Sequence, residues 1–378
     1  MPETYASRAL GPPPRYVRST ARQLAFSIHS TGEYVASDYT QSGKSSFTVI
    51  SMYLPPPTYT FTIPSVYDGI QLDCRLHVPR ELSEPEGTRR GPICGAIVAH
   101  PYATLGGCYD DPVVNFVGSE LLEAGYVVGT FNFRGAGDSE GSTSWTARPE
   151  LADYVSFYGF MLWYLQLLRT RLGSSDPGSE GGPANVRLIL AGYSYGSMIA
   201  SHLPALDVVA DLFANSTDGS AAYRIRREAE RISAPSSDVQ ETQGRPPAFW
   251  EALNPNCISS ATICYLLVSP LLPPINMFLT LFSKLSLNVG THTAAQGRHI
   301  PCPKPTDQLR AHPTLAIYGS QDTFTSAHKL RQWSQELALT PGSQFQSAEI
   351  GGAGHFWREH GAESEARASI KEWLRQIP

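Results

Sequence analysis

With 378 residues, 42% of them hydrophobic and 17% charged, the chain can bury one large mixed domain or two ordinary ones, and global disorder is excluded. A formal net charge of −5, with no lysine or arginine block, argues against a nucleic-acid partner. The six cysteines (Cys74, Cys94, Cys108, Cys257, Cys264, Cys302) are scattered, with no Cys-x-x-Cys pair and no zinc-like spacing to histidine. They read as thiols of a reducing compartment rather than a disulfide framework.

The first residues, "MPETYASRALGPPPRYVRSTARQ", lack the apolar core of a secretory signal. A cytoplasmic, soluble chain is expected, with a mitochondrial transit peptide as the weaker expectation from the arginines and serines here. Residues 1–57, proline-rich at both ends, read as a partly flexible N-terminal extension, and residues 58–378 as one domain. "YTFTIPS" and "IQLDCRLHVP" alternate in hydrophobicity around "VYDG" and predict two antiparallel strands. After the loop "RELSEPEGTRRGP" comes a short buried strand, "CGAIVAHP". Helices and strands then alternate. "VVNFVGSELLEAG" is a helix closed by Gly125, and "YVVGTFNF" is a buried strand. Apolar residues at Leu151, Tyr154, Val155, Tyr158, Met161, Leu162, Leu165 and Leu168 recur at helical spacing. "VRLILAGY" is a strand and "GSMIASHL" opens a helix.

An insertion of about residues 204–260 follows, partly helical ("AAYRIRREAERI") and partly polar, at a position where a lid would sit. "ATICYLLVSP", "PTLAIYG" and "FQSAEI" are strands, and "SAHKLRQWSQELA" and "EARASIKEWLRQI" are helices. The apolar stretch "ATICYLLVSPLLPPINMFLTLF" is broken by Pro270, Pro273 and Pro274, and no run reaches the ~18 apolar residues of a membrane span. Ser156–Leu168 and Met277–Leu287 read as buried helices rather than membrane-surface segments, because neither has a basic polar face. The whole pattern predicts an α/β fold: a mainly parallel sheet covered on both faces, with an antiparallel pair at its leading edge.

"RLILAGYSYGSMIAS" carries Gly-x-Ser-x-Gly between a predicted strand and a predicted helix. The three letters alone are weak evidence, but a sharp strand-to-helix turn is where a nucleophilic serine has to stand. Such a turn leaves no room for side chains two residues before and after the serine, and Gly192 and Gly196 meet that demand. A nucleophilic Ser194 needs a base and a group to orient that base. "PTLAIYGSQDTFT" puts Asp322 just past one strand, where it could otherwise cap a helix. "FQSAEIGGAGHFW" puts His355 in a glycine-rich turn past the next. The oxyanion hole is expected from the backbone N–H of Tyr195 and from the loop "HPYATLGG", with Tyr102 as the donor and Ala103 second. His100 is expected to shape that loop rather than act as base. In "NFRGAGDSEGS", Asp138 and Glu140 are rival acids, and Arg134 with Asp138 is the favoured reading as a structural pair.

The order of these residues resembles the α/β-hydrolase family. The similarity is strongest to the branch, common in fungi, with His-Pro-x-x-x-x-Gly-Gly and Asn-x-Arg-Gly-x-Gly-x-Ser-x-Gly loops, here "HPYATLGG" and "NFRGAGDSEG". The resemblance implies an α/β-hydrolase fold, with Ser194 as nucleophile, His355 as base and Asp322 as acid. It implies a hydrolase of an ester, thioester or related acyl bond, with no cofactor and no metal. Tyr102, Tyr109, Tyr193, Tyr195 and Trp357, with "LLPPINMFLTLF", suggest a largely apolar small-molecule acyl substrate. Two other expectations stand beside it: acyl transfer, chain release or carbon–carbon chemistry in a biosynthetic pathway, and a non-catalytic ligand-binding protein. Oligomeric state is not readable from the chain.

Overall fold

The computed structural model describes residues 25–28, 33–38, 46–51, 53–83, 91–172, 186–234, 261–282, 284–290 and 298–377. It divides into two compact units, residues 1–52 and 53–378. In the first, β1 (Ala25–Ile28), β2 (Glu33–Asp38) and β3 (Ser46–Ser51) form a three-stranded antiparallel sheet in chain order. This segment, read from sequence as an extension, therefore carries regular structure. Its short β-branched and aromatic runs are the signal for it. The residues considered for a transit peptide lie outside the described residues.

The second unit runs β4 (Tyr59–Pro64), β5 (Gln71–His77), α1 (Arg80–Ser83), β6 (Ile93–Ala99), α2 (Pro112–Glu123), β7 (Val127–Phe131), α3 (Arg148–Arg171), β8 (Val186–Tyr193) and α4 (Tyr195–Ser201). It continues α5 (Leu206–Ala214), α6 (Ala221–Ser233), β9 (Thr262–Val268), α7 (Ile275–Leu279), β10 (Ser286–Val289), β11 (Arg298–Pro301) and α8 (Pro305–Ala311). It closes β12 (Thr314–Gly319), α9 (Ala327–Ala338), β13 (Phe345–Ile350) and α10 (Ala362–Gln376). Eight strands make one sheet in the order β13-β12-β9-β8-β6-β7-β5-β4. Strands β6 to β13 of that sheet pair in parallel, and β4 and β5 join antiparallel at the β7 edge.

The sheet is buried on both faces, as a parallel sheet must be. Leu188 and Leu190 of β8 enter one cluster with α3 to α6, while the alternate residues Ile189 and Ala191 enter a second with α2 and α10. Helix α2 starts as its sequence dictates. Asp111 caps the N–H of Val113 at 2.8 Å, Pro112 takes the first position, and Gly125 follows the end at φ 84°. Helix α3 is buried on every side from Pro149 to Leu168, which the expected one-sided spacing understates. It lies between the sheet and α5–α6, so its outward face is also covered.

The described part of the 204–260 insertion is α5 and α6, and these pack on α3. Phe213 sits against Gly159, and the Arg226 guanidinium lies 4.2 Å over the Trp163 ring. Residues 235–260, with Cys257, lie outside the described residues. The other five cysteines are free thiols.

One expected helix is not there. Residues 277–287 do not form a buried helix: α7 ends at Leu279, Leu281 and Phe282 turn through positive φ, and Ser286 begins β10. Met277, Phe278, Leu281 and Phe282 are exposed. The proline run Pro273–Pro274 fixes where α7 begins and leaves too few residues for a longer helix before β10 pairs with β11. No single described helix is long and apolar enough to cross a membrane.

Candidate active site

Four loops that leave the carboxyl ends of parallel strands, after β6, β8, β12 and β13, carry the sequence-predicted residues, and β8 lies between β6 and β9 at the centre of the sheet. After β6 the chain winds to β7 on one side and then returns to β8 on the other. Ligand crevices form at such a switch point.

Ser194 follows β8 at φ 54° and ψ −112°, outside the ordinary regions for a residue with a side chain. The turn is held by the Ser194 N–H, which donates to Val268 O at 2.9 Å, and by the Met198 N–H, which donates to Ser194 O at 3.1 Å. Gly192 and Gly196 are needed for close approach. A Cβ on Gly192 would strike the Gly196 carbonyl carbon, and one on Gly196 would strike the Ala99 carbonyl oxygen. The elbow is thus wedged against the end of β6, where the loop carrying Tyr102 begins.

Asp322, His355 and Ser194 are brought together in one line. The His355 Nδ1 is 2.7 Å from Asp322 Oδ2, and its Nε2 is 2.9 Å from Ser194 Oγ. All three residues are buried, with Ser194 retaining 7% exposure. Asp322 does not cap α9, which starts after Ser326. Its other oxygen accepts the backbone N–H groups of Phe324 (2.8 Å) and Thr325 (3.0 Å), which fixes the carboxylate plane toward the imidazole. The ring of His355 is flanked by Phe324, with centroids 4.3 Å apart, and by Phe356 edge-on at 5.5 Å. These two aromatics were not singled out from sequence; their adjacency to the acid in "DTFT" and to the histidine in "GHFW" is the signal that was there. The His355 carbonyl accepts from the Tyr193 hydroxyl at 2.9 Å, so Tyr193 holds the His355 backbone from behind.

The Tyr195 N–H stands at the first position of α4, where no intrahelical acceptor exists. Tyr102 adopts an extended conformation ahead of a 3-10 turn (Ala103–Leu105), and its carbonyl accepts from Leu105 and Gly107. The rings of Tyr102 and Tyr195 meet at 5.0 Å. His100 is fully buried with both nitrogens committed: Nδ1 donates to Pro101 O at 2.6 Å and Nε2 accepts the Phe133 N–H at 2.9 Å. Burial pushes its pKa down to about 4, so the ring is neutral at pH 7. It ties the loop after β6 to the loop after β7.

Two expectations about the surroundings are corrected, the partner of Arg134 and the grouping of the aromatics. Arg134 does not pair with Asp138, which is exposed. Arg134 instead meets Asp153 of α3 at 2.7 and 2.9 Å and Asp68 at 2.9 Å, with Ser65 Oγ at 3.2 Å. Asp153 is wholly buried, and a buried carboxylate requires a buried counter-charge. Glu140 accepts the Gln71 N–H and holds the loop rather than serving as an acid. The aromatics are also divided. Tyr109 donates its hydroxyl to Asp73 beneath the Arg75 guanidinium, and Trp357 donates to Ser269 Oγ at 3.0 Å within the core. Among the described residues no three His, Cys, Asp or Glu side chains converge as a metal centre requires.

Among solved structures the chain is similar to an alpha-beta serine hydrolase homologue from Coxiella burnetii, at 17% identity over 86% of this chain and 100% of that one, with a TM-score of 0.44. It is also similar to Est1E of Butyrivibrio proteoclasticus, solved with ferulic acid bound, at 14% identity over 84% and 98% of the two chains, TM-score 0.43. A third is esterase 2 of Thermogutta terrifontis in its apo form, at 14% identity over 85% and 95%, TM-score 0.44. No curated protein matches the chain. The family described as "Alpha/beta hydrolase family" matches residues 96–367, well over half of the sequence. With the eight-stranded, mostly parallel sheet and helices on both faces, that match identifies the chain as a member of the alpha/beta hydrolase family.

Proposed function

We propose that this protein is a serine hydrolase that cleaves an ester, thioester or related acyl bond through an acyl-enzyme on Ser194. The observation that carries the reading is the continuous hydrogen-bond line from Asp322 through His355 to Ser194 Oγ. His355 Nε2 takes the hydroxyl proton as Oγ attacks the carbonyl, and later returns a proton to the leaving group. Asp322 keeps the other proton on Nδ1 and stabilises the imidazolium that forms. The N–H groups of Tyr195 and Tyr102 receive the developing oxyanion. Water activated by the same histidine then releases the acyl group. The exposed apolar side chains Leu105 and Phe356, in the oxyanion and histidine loops, favour a largely apolar substrate.

The test is labelling with a fluorophosphonate probe. Wild-type protein is expected to label, and Ser194→Ala and His355→Ala are expected to lose labelling while keeping the wild-type melting midpoint. Folded wild-type protein that does not label would overturn the reading and bring forward a ligand-binding role. A panel of aryl esters and thioesters, with the products identified, then separates hydrolysis from transfer to another acceptor.

A further inference from the structure

Behind the elbow, on the flank of α4, lies a cavity of about 310 Å³, a size within the range of small-molecule sites. Its floor is Ser197, Met198 and Leu267, all buried. Leu267 is the register partner of Gly192, so the floor lies level with the end of β8. Leu271, Leu272 and Trp333 form the walls, and the exposed Pro273 and Thr306 stand at the mouth. Neither Ser194, His355 nor Tyr102 lines it.

Four of the polar side chains that line this cavity offer acceptors to it. Ser197 Oγ donates its proton to Ser194 O at 2.7 Å, and Ser201 Oγ donates to Met198 O at 2.8 Å, so both hydroxyls present only lone pairs to the cavity. His202 Nδ1 lies 2.7 Å from Met198 O, and burial lowers its pKa. The neutral ring therefore keeps its proton on Nδ1 and leaves Nε2 as an acceptor. Asn276 Oδ1 is buried with no hydrogen-bond partner, an arrangement that is costly unless a ligand or water supplies a donor. None of the lining residues is Asp, Glu, Lys or Arg; a cation, Lys329, stands outside the mouth, where its Nζ donates to Pro273 O at 3.5 Å.

We propose that this cavity is a second binding site, which takes a small, uncharged, largely apolar molecule carrying an N–H or O–H donor for Asn276 Oδ1. The apolar walls take the body of the ligand, and the set of acceptors selects for the donor. No charged side chain lines the cavity, so a charged ligand would lose its hydration without gaining a counter-charge from the lining. A ligand here contacts α4, which carries Ser194 at its start. It also contacts the segment whose Leu272 N–H donates to Thr325 Oγ1 at 3.3 Å, beside the acid loop.

Indole is a suitable probe, with 1-methylindole as the same ring without its donor. Titration calorimetry on the full chain is expected to give one saturable site for indole, and roughly tenfold or greater weakening for 1-methylindole and for Asn276→Leu, the loss expected when a buried hydrogen bond cannot form. Leu272→Trp, which fills the cavity from its wall, is expected to abolish binding while the melting midpoint stays at the wild-type value. Absence of saturable indole binding up to about 1 mM would overturn the proposal. So would equal affinity for 1-methylindole, or undiminished binding to folded Leu272→Trp. Because the triad does not line the cavity, none of these results depends on whether Ser194 is a nucleophile.

Discussion

The line through His355 is held as much by backbone as by side chains. Asp322 spends one carboxylate oxygen on the N–H groups of Phe324 and Thr325, so the other can only face the imidazole. Asp322→Asn would keep this shape but present an amide to Nδ1 and favour the wrong tautomer. If the proposed acyl-enzyme chemistry holds, the variant's turnover on the responsive acyl substrate is expected to fall by about 10³–10⁴-fold with little change in melting midpoint; an active Asn variant would show that the Asp322 carboxylate is dispensable.

His100 answers to a different demand. Its pKa, and that of His77, is lowered to about 4, chiefly by burial, with Arg75 adding to the effect at His77. Between pH ~6.5 and ~4 the unfolded chain binds protons at these positions and the folded chain does not. Their contribution to stability is therefore complete above the unfolded pKa and is lost as pH falls through that window, at up to about 1.4 kcal/mol per pH unit for each histidine. Denaturant midpoints measured against pH are expected to decline on acidification, and His100→Gln should flatten the slope by about one proton.

Helix α3 depends on being covered twice, by the sheet beneath and by α5–α6 above. Gly159 exists in it so that the Phe213 ring can sit directly on the backbone, since a Cβ there would overlap that ring. Phe213 is 1% exposed, and Phe213→Ala is expected to destabilise the fold by about 3–5 kcal/mol in chemical denaturation with an unchanged m-value. A loss below about 1 kcal/mol would mean that the insertion is only loosely docked. The opposite case is the segment after β9, where apolar residues are plentiful but of α7 only the Leu279 side packs against the core cluster. Met277, Phe278, Leu281 and Phe282 remain exposed, and composition alone could not distinguish this from a buried helix.

Two compact units, residues 1–52 and 53–378, account for the described chain. The larger has its own sheet and both core clusters. A chain beginning at Tyr53 is therefore expected to keep its main thermal transition within about 3 °C of the full-length value and to label with fluorophosphonate at the same rate; failure to fold would show that the first unit is needed.

The alternation of strands and helices, the elbow with its two glycines, and the chain order of Ser194, Asp322 and His355 are all local or periodic features, so the sequence by itself determined the fold class and the candidate triad. Burial of a parallel sheet on both faces enforces that periodicity. The partner of Arg134, the environments of Tyr109 and Trp357, the end of α7 and the acceptor-lined cavity were decided only by the tertiary structure. In each case the deciding quantity is which distant segment comes within reach. Asp153 lies 19 residues from Arg134 and is adjacent to it only because α3 folds back across the sheet. Charge pairing and cavity lining follow that folding rather than spacing along the chain.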